Sequence, residues 1–196
     1  VRQPRVLVTG FGPFLDNAVN PSESLARELD GQNLEGTTFI ALAPLPVAYA
    51  TAADIVAARA ATLDVGAILL LGLASTSPQI RVETTGRNVS TCAHPDARGV
   101  KKLGEVTIPG EPAQLSTRLD AKRVVATLLQ NGVDARVSDD AGGYVCNDVY
   151  FRTLSGERMS GERPCLFVHV PPGAEQQPGL ALMLGRAFLS GFTSRT

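Results

Sequence analysis

The sequence predicts an α/β fold, a single-domain α/β/α sandwich whose twisted, mostly parallel sheet is covered by helices on both faces. Three observations lead there. Short β-branched or apolar runs alternate with stretches of helical periodicity, which is the rhythm of strand–helix–strand units. Residues 65–73 are almost wholly apolar, as a central parallel strand buried on both faces should be. Gly- and Pro-bearing loops follow strands directly, and in such sheets ligands bind where strands end at the carboxyl edge.

The elements follow in order. Arg5-Val6-Leu7-Val8-Thr9 is a β-branched run that stops at Gly10, a buried first strand feeding the loop Gly10-Phe11-Gly12-Pro13-Phe14. Asn20-Pro21-Ser22-Glu23 then starts a helix, with Asn as cap, Pro at the first helical position and Leu25 and Leu29 on the apolar face, up to Gly31. Residues 37–42 read as the second strand and 48–63 as an Ala-rich helix. After the 65–73 strand, residues 80–112 carry Gly, Pro, Asn and Asp so often that short strands and long loops are expected. Residues 116–130 regain helical spacing, 133–138 read as a strand, 146–154 as a short helix, 165–170 as a buried strand and 179–189 as a last helix.

Length and composition set limits on function. With 196 residues and 44% hydrophobic content, one domain spanning 1–196 can bury a substantial core. A formal net charge of −1 gives no basic surface for nucleic acid or anionic lipid, and no apolar run is long enough to cross a bilayer. The chain therefore reads as soluble and cytoplasmic, with neither nucleic acid nor membrane as partner. Three cysteines without close repeat spacing suggest free thiols in a reducing compartment, not a disulfide framework or a zinc knot.

Candidate chemistry emerges by elimination. The glycine loop lacks the third glycine of a dinucleotide fingerprint and sets Pro13 where a helix should open. No phosphate-loop, HExxH, paired CxxC or GxSxG pattern occurs, which leaves cysteine chemistry. A cysteine nucleophile needs a base, a group to orient that base, and preferably a helix N-terminus that favours thiolate. Only two histidines can supply the base: His94 lies in a loop before Pro95, whereas His169 ends the apolar strand Leu166-Phe167-Val168. Cys146 follows Ala141-Gly142-Gly143-Tyr144-Val145 at an apparent helix start, while Cys92 and Cys165 read as small buried hydrophobes. Cys146 with His169 is the preferred pair.

The segments Thr9-Gly10-Phe11-Gly12-Pro13-Phe14, Val19-Asn20-Pro21-Ser22, Ala141-Gly142-Gly143-Tyr144-Val145-Cys146-Asn147 and His169-Val170-Pro171 with Glu175-Gln176 resemble, in order and spacing, the pyroglutamyl peptidase I family of cysteine peptidases. The resemblance implies an α/β/α fold related to purine nucleoside phosphorylases and a Cys–His–Glu triad that removes N-terminal pyroglutamate. It adds Glu83 as the triad acid and Phe11, Phe14, Tyr144 and Val145 as the substrate pocket. It also implies pyroglutamylated peptides as substrate, homotetrameric assembly, and neither metal nor organic cofactor. Departures accompany the matches. Leu73 stands for the usual Gln, Thr84 for an Arg after the acid, Ala93 for an Arg at the oxyanion site and His94 for an apolar pocket residue. The expectations that follow are an oxyanion held mainly by the Cys146 backbone N–H, with Arg87 and Arg98 as surface charges. The alternative is a catalytically weak or silent binding protein on the same fold.

Overall fold

A computed structural model describes residues 3–14, 18–160 and 163–192. In chain order the strands and helices are β1 (Arg5–Phe11), α1 (Pro21–Leu29), β2 (Asn33–Leu34), β3 (Thr37–Leu45), α2 (Thr51–Leu63), β4 (Ala67–Leu73), β5 (Ile80–Glu83), β6 (Thr85–Arg87), β7 (Val89–Cys92), β8 (Lys102–Val106), β9 (Gln114–Ser116), α3 (Ala121–Gln130), β10 (Ala135–Ser138), α4 (Val145–Ser160), β11 (Cys165–Val170) and α5 (Leu180–Ser190). Seven strands form the central sheet in the order β10-β5-β11-β4-β1-β3-β2. The pairs β3–β1, β1–β4, β4–β11 and β5–β10 are parallel, while β5 runs antiparallel to β11 and β2 to β3. β6 with β9, and β7 with β8, make two outlying antiparallel ribbons.

Alternation along the strands sorts side chains into two cores. Val6, Val8, Leu69, Leu71, Leu166 and Val168 face α1, α3 and α5, joining Leu25, Val124, Leu128, Leu184 and Phe188. Leu7, Ile68, Leu70 and Phe167 face α2 and α4, joining Val56, Val149 and Tyr150. The α/β/α sandwich expected from the sequence is therefore present, with a mostly parallel but mixed sheet.

Several boundaries differ from those expected, each for a local reason. The helix read from residue 48 begins at Thr51, because the N–H groups of Tyr49 and Ala50 donate to the buried carboxylates of Asp96 (3.0 Å) and Asp148 (2.8 Å) instead of starting a helical ladder. The helix read from 116 begins at Ala121: Ser116 ends β9, and Asp120 caps α3 by accepting from the Arg123 N–H. The helix read as 146–154 is 16 residues long and continues through Ser155 and Gly156. It shows no amphipathic stripe because it is buried on two sides. Tyr150 packs on the sheet through Phe167, and Phe151 lies against Gly86 of β6, where an added Cβ would sit 3.0 Å from the Phe151 backbone.

Phe39 of β3 is fully buried and meets Phe188 of α5 edge-on at 6.5 Å, so this pair closes one core layer. Phe39→Ala is expected to lower unfolding free energy by about 3–5 kcal/mol in urea denaturation.

Candidate active site

The site lies at the carboxyl edge of the central strands, on the α2/α4 face of the sheet. His169 is the penultimate residue of β11, 4% exposed, and Glu83 ends β5, fully buried. Because β5 is antiparallel to β11, Arg81 lies directly opposite His169 and Glu83 opposite Phe167, and all four side chains share one face. Glu83 Oε1 is 2.8 Å from His169 Nδ1. The same oxygen accepts from Arg81 Nε at 3.0 Å and lies 3.0 Å from Nη2. A carboxylate oxygen at 2.8 Å requires the proton on Nδ1, which leaves Nε2 free as an acceptor.

Burial alone would raise the Glu83 carboxyl, but the His169 hydrogen bond, the Ser138 side chain and the Arg81 charge pull it below its ordinary value. Burial also drives His169 down; Glu83 opposes this and Arg81 adds to it, so the imidazole is neutral below the usual histidine range. The couple is thus a carboxylate with a neutral imidazole.

Cys146 is the second residue of α4, half-buried at the pocket floor. Its approach to the sheet depends on Gly72, the β4 residue paired with His169. A Cβ at Gly72 would lie 2.6 Å from Phe167 Cζ and 3.1 Å from Cys146 Sγ, so the missing side chain is what lets the sulfur settle beside the His169 strand. The sequence-based expectation that the helix start would make a thiolate needs correction. Burial, reinforced by the Glu83 charge, pushes the Cys146 thiol up to about 12, and the opposing effects of Arg81 and the residue's own N–H are smaller. Desolvation outweighs the helix terminus.

A cavity of about 150 Å³ opens above the sulfur, lined by Phe11, Phe14, Asn20, Val47, Leu73, Ser75, Tyr144, Val145 and Cys146. The four pocket residues expected from the sequence are therefore brought together, although Phe11 belongs to the end of β1 and is 3% exposed. The Phe14 and Tyr144 rings are 6.0 Å apart, Tyr49 meets Tyr144 edge-on at 5.7 Å, and Tyr144 Oη donates to the Pro95 carbonyl at 2.8 Å. Asn20 and Ser22 hold the aromatic loop. Asn20 Nδ2 donates to the Gly12 carbonyl (3.0 Å), Asn20 Oδ1 accepts from Ser22, and Ser22 Oγ accepts from the Phe11 N–H (3.0 Å). Gly10 permits this contact, since a Cβ there would lie 2.1 Å from the Ser22 carbonyl oxygen.

Sequence reasoning missed Asn20, Val47, Leu73 and Ser75 as lining residues, and it missed Arg81. The signal for Arg81 was present: an Arg two residues before an acid in a short strand shares its face. Arg87 pairs with Asp140 (3.3 Å), and Arg98 donates to Thr51 Oγ1 (3.0 Å). His94 is exposed; Cys165 is buried in the core, and Cys92 borders Tyr49 and Tyr144. Among the described residues no group of three or more His, Cys, Asp or Glu could hold a metal ion. A larger depression of about 330 Å³ lies at the opposite sheet edge, lined by Arg5, Glu35, Thr37 and Phe192 among others, with neither Cys nor His.

A cysteine at a helix start, beside a carboxylate-bound histidine on an α/β sheet, belongs to a cysteine-type peptidase, and comparison with known proteins agrees. Residues 4–182 match the pyroglutamyl peptidase family, and the chain belongs to that family. It is 37% identical over 179 residues to a pyrrolidone-carboxylate peptidase of Streptomyces coelicolor, covering 89% of this chain and 81% of the relative. It is 33% identical over 172 residues to one of Halalkalibacterium halodurans, covering 87% and 85%. Pyroglutamyl peptidase I from Bacillus amyloliquefaciens superposes with a TM-score of 0.89 at 25% identity over 97% of this chain and 95% of that one.

Two outcomes follow from this geometry. Gly72→Ala should cost about 1–3 kcal/mol in thermal or urea unfolding, because the new methyl must displace Phe167 or Cys146. Alkylation of Cys146 by iodoacetamide should rise by about tenfold per pH unit from pH 7 to 9, since the thiolate fraction climbs that steeply below a high thiol value. A plateau within that range, followed by mass spectrometry, would reveal a thiolate already formed at neutral pH.

Proposed function

We propose that this chain hydrolyses the amide bond after an N-terminal pyroglutamyl residue of peptides. Cys146 is the nucleophile, His169 the general base and acid, and Glu83 the group that orients the imidazole. One observation carries the reading: the Glu83–His169 couple at 2.8 Å sits next to the sulfur that floors an aromatic pocket. Pockets for drug-sized ligands run to about 300–1,000 Å³, so half the lower figure suits a single small ring. None of the described residues that line the cavity is charged. Pyroglutamate fits that chemistry, because its flat lactam has no ionised amine and offers its amide to Asn20, Ser75 and backbone groups between apolar walls.

The reaction starts from neutral Cys146 and neutral His169. His169 Nε2 takes the thiol proton as sulfur attacks the pyroglutamyl carbonyl carbon, and Glu83 stabilises the imidazolium that forms. The oxyanion accepts from the Cys146 backbone N–H, one of the first-turn donors that have no helical acceptor. Collapse breaks the C–N bond while the imidazolium proton passes to the leaving amine. Water then attacks the thioester, His169 accepts its proton, and the acid product leaves as that proton returns to sulfur. The same reading takes residues 1–196 as one domain, working in the cytoplasm as a homo-oligomer, a tetramer by family resemblance, without nucleic-acid or membrane partners. Three free cysteines and a net charge of −1 support it.

The test is release of a chromogenic amine from a pyroglutamyl amide. Cys146→Ala and His169→Ala should fall to background while Cys92→Ala, Cys165→Ala and His94→Ala keep most activity. Glu83→Gln should lose about 100-fold or more in kcat with KM little changed, because the imidazole tautomer is no longer held. A prolyl amide should be a far poorer substrate, since its charged amine meets no opposite charge among the described lining residues and it lacks the lactam carbonyl. Substrate binding without any release would instead identify a silent binding protein.

With one backbone oxyanion donor in place of two, turnover should be slow by about 100- to 1,000-fold. Ala93→Arg should then raise kcat, and Arg87→Ala or Arg98→Ala should leave it within about twofold. A large loss in either alanine variant would place that arginine at the oxyanion.

A further inference from the structure

Arg81 occupies a position that simple ion pairing does not account for. Its guanidinium is one-fifth exposed and donates through Nε to Glu83 Oε1 at 3.0 Å. Nη2 lies 3.0 Å from the same oxygen and 3.3 Å from His169 Nδ1, and donates to the Asp140 carbonyl at 3.2 Å. His169 Nδ1 and both arginine nitrogens therefore converge on Oε1, while Oε2 is buried with no direct hydrogen bond among the described residues and the Ser138 side chain is the polar group that favours the carboxylate from β10. An arginine serving only to neutralise a buried carboxylate would form its usual fork across both oxygens. This one forgoes the fork, shares the oxygen that faces His169 and turns Nη2 to the Asp140 carbonyl as well. Asp140 stands at the root of the Ala141–Tyr144 lead-in to Cys146, and its Oδ1 accepts from the Gly142 N–H at 2.9 Å.

We propose that Arg81 is a positioning residue for the hydrolysis: a cationic strut that holds Glu83 Oε1 on His169 Nδ1 and ties this couple to the loop presenting Cys146. The proposal rests on the activity assigned above and goes beyond the Cys–His–Glu set. Two effects follow. The first is geometric, since one guanidinium spans β5 and the β10–α4 loop and so fixes the distance between the imidazole and the sulfur. The second is electrostatic. The charged or titratable groups facing His169 are Glu83 and Arg81 on β5, Asp140 on the β10–α4 loop and Cys146 on α4. Of the charges, the two carboxylates favour imidazolium and Arg81 alone opposes it. Arg81 therefore keeps the resting imidazole neutral, ready to take the thiol proton, to lower pH than a Glu–His couple would by itself.

The experiment compares wild type with Arg81→Met and Arg81→Lys. It measures kcat and KM on a pyroglutamyl amide across pH, and titrates the His169 imidazole by NMR. Only two histidines are present, so a His94→Gln background leaves one imidazole signal to follow. Arg81→Met should lose about 10- to 100-fold in kcat with KM within twofold, as expected for a misplaced reacting pair. Its His169 titration and the acid limb of kcat/KM should both move upward by about 0.5–1 pH unit. Arg81→Lys should restore most of the titration shift, because the charge returns, but only part of kcat, because a point charge cannot span Glu83 and Asp140 together. A folded Arg81→Met protein with unchanged kcat and an unmoved titration overturns the proposal. So does a fall in melting temperature with neither of the other changes, which would reduce Arg81 to a stabilising ion pair. If Arg81→Met does not fold, Arg81→Lys decides alone: wild-type kcat would then overturn the strut. Should wild type release no amine, that failure belongs to the assigned activity, and the NMR titration still decides for or against Arg81.

Discussion

A strand reversed against the central β4–β11 pair of a mixed sheet is the constraint on which the site depends. β4 and β11 run parallel and carry Gly72 and His169 side by side to the same edge, and β5 then pairs antiparallel to β11. In a parallel partner, the residues near the carboxyl edge would come from the end of the strand and lead into a loop. Antiparallel pairing instead sets Arg81 across from His169 and Glu83 one pleat deeper, where the carboxylate is dry. The acid reaches up to Nδ1 from beneath, and the imidazole's other nitrogen is left free as an acceptor.

The second condition is an absence of atoms. Gly72 leaves a gap on the α2/α4 face that Phe167 and Cys146 fill from two sides. The Phe167 ring lies 4.7 Å from the His169 ring and 5.7 Å from Tyr150, so the imidazole stands against an aromatic wall that is itself anchored under α4. Packing of this density positions the reacting groups but also removes water from them. That is why the thiol is held neutral despite its place at a helix start.

Charge and desolvation divide the work at this site. Glu83 is buried yet held as a carboxylate by the His169 hydrogen bond, the Ser138 side chain and the Arg81 charge; His169 is buried and lowered because burial and Arg81 together exceed the pull of the carboxylates. Burial raises the Cys146 thiol and lowers the His169 imidazole, so both shifts disfavour a thiolate–imidazolium pair, whose desolvation would be costly.

Much was legible in the residues alone. Apolar periodicity marked the strands and helices, Asn20-Pro21-Ser22 marked the start of α1, and the glycine-rich approach to Cys146 marked the start of α4, because these signals are local and short-ranged. Glu83 was different: one acid among nineteen, it was nameable only through family resemblance. What tertiary structure decided were the non-local facts. Helix boundaries at Thr51 and Ala121 moved because Asp96, Asp148 and Asp120 captured backbone N–H groups, the first two from far along the chain. The extension of α4 came from burial on two sides, which erases the amphipathic stripe that periodicity relies on. The direction of β5 gave Arg81 its neighbours. Strand direction is set by the path of the connecting chain and by pairing with residues more than 80 positions away, and no local pattern of side chains encodes it.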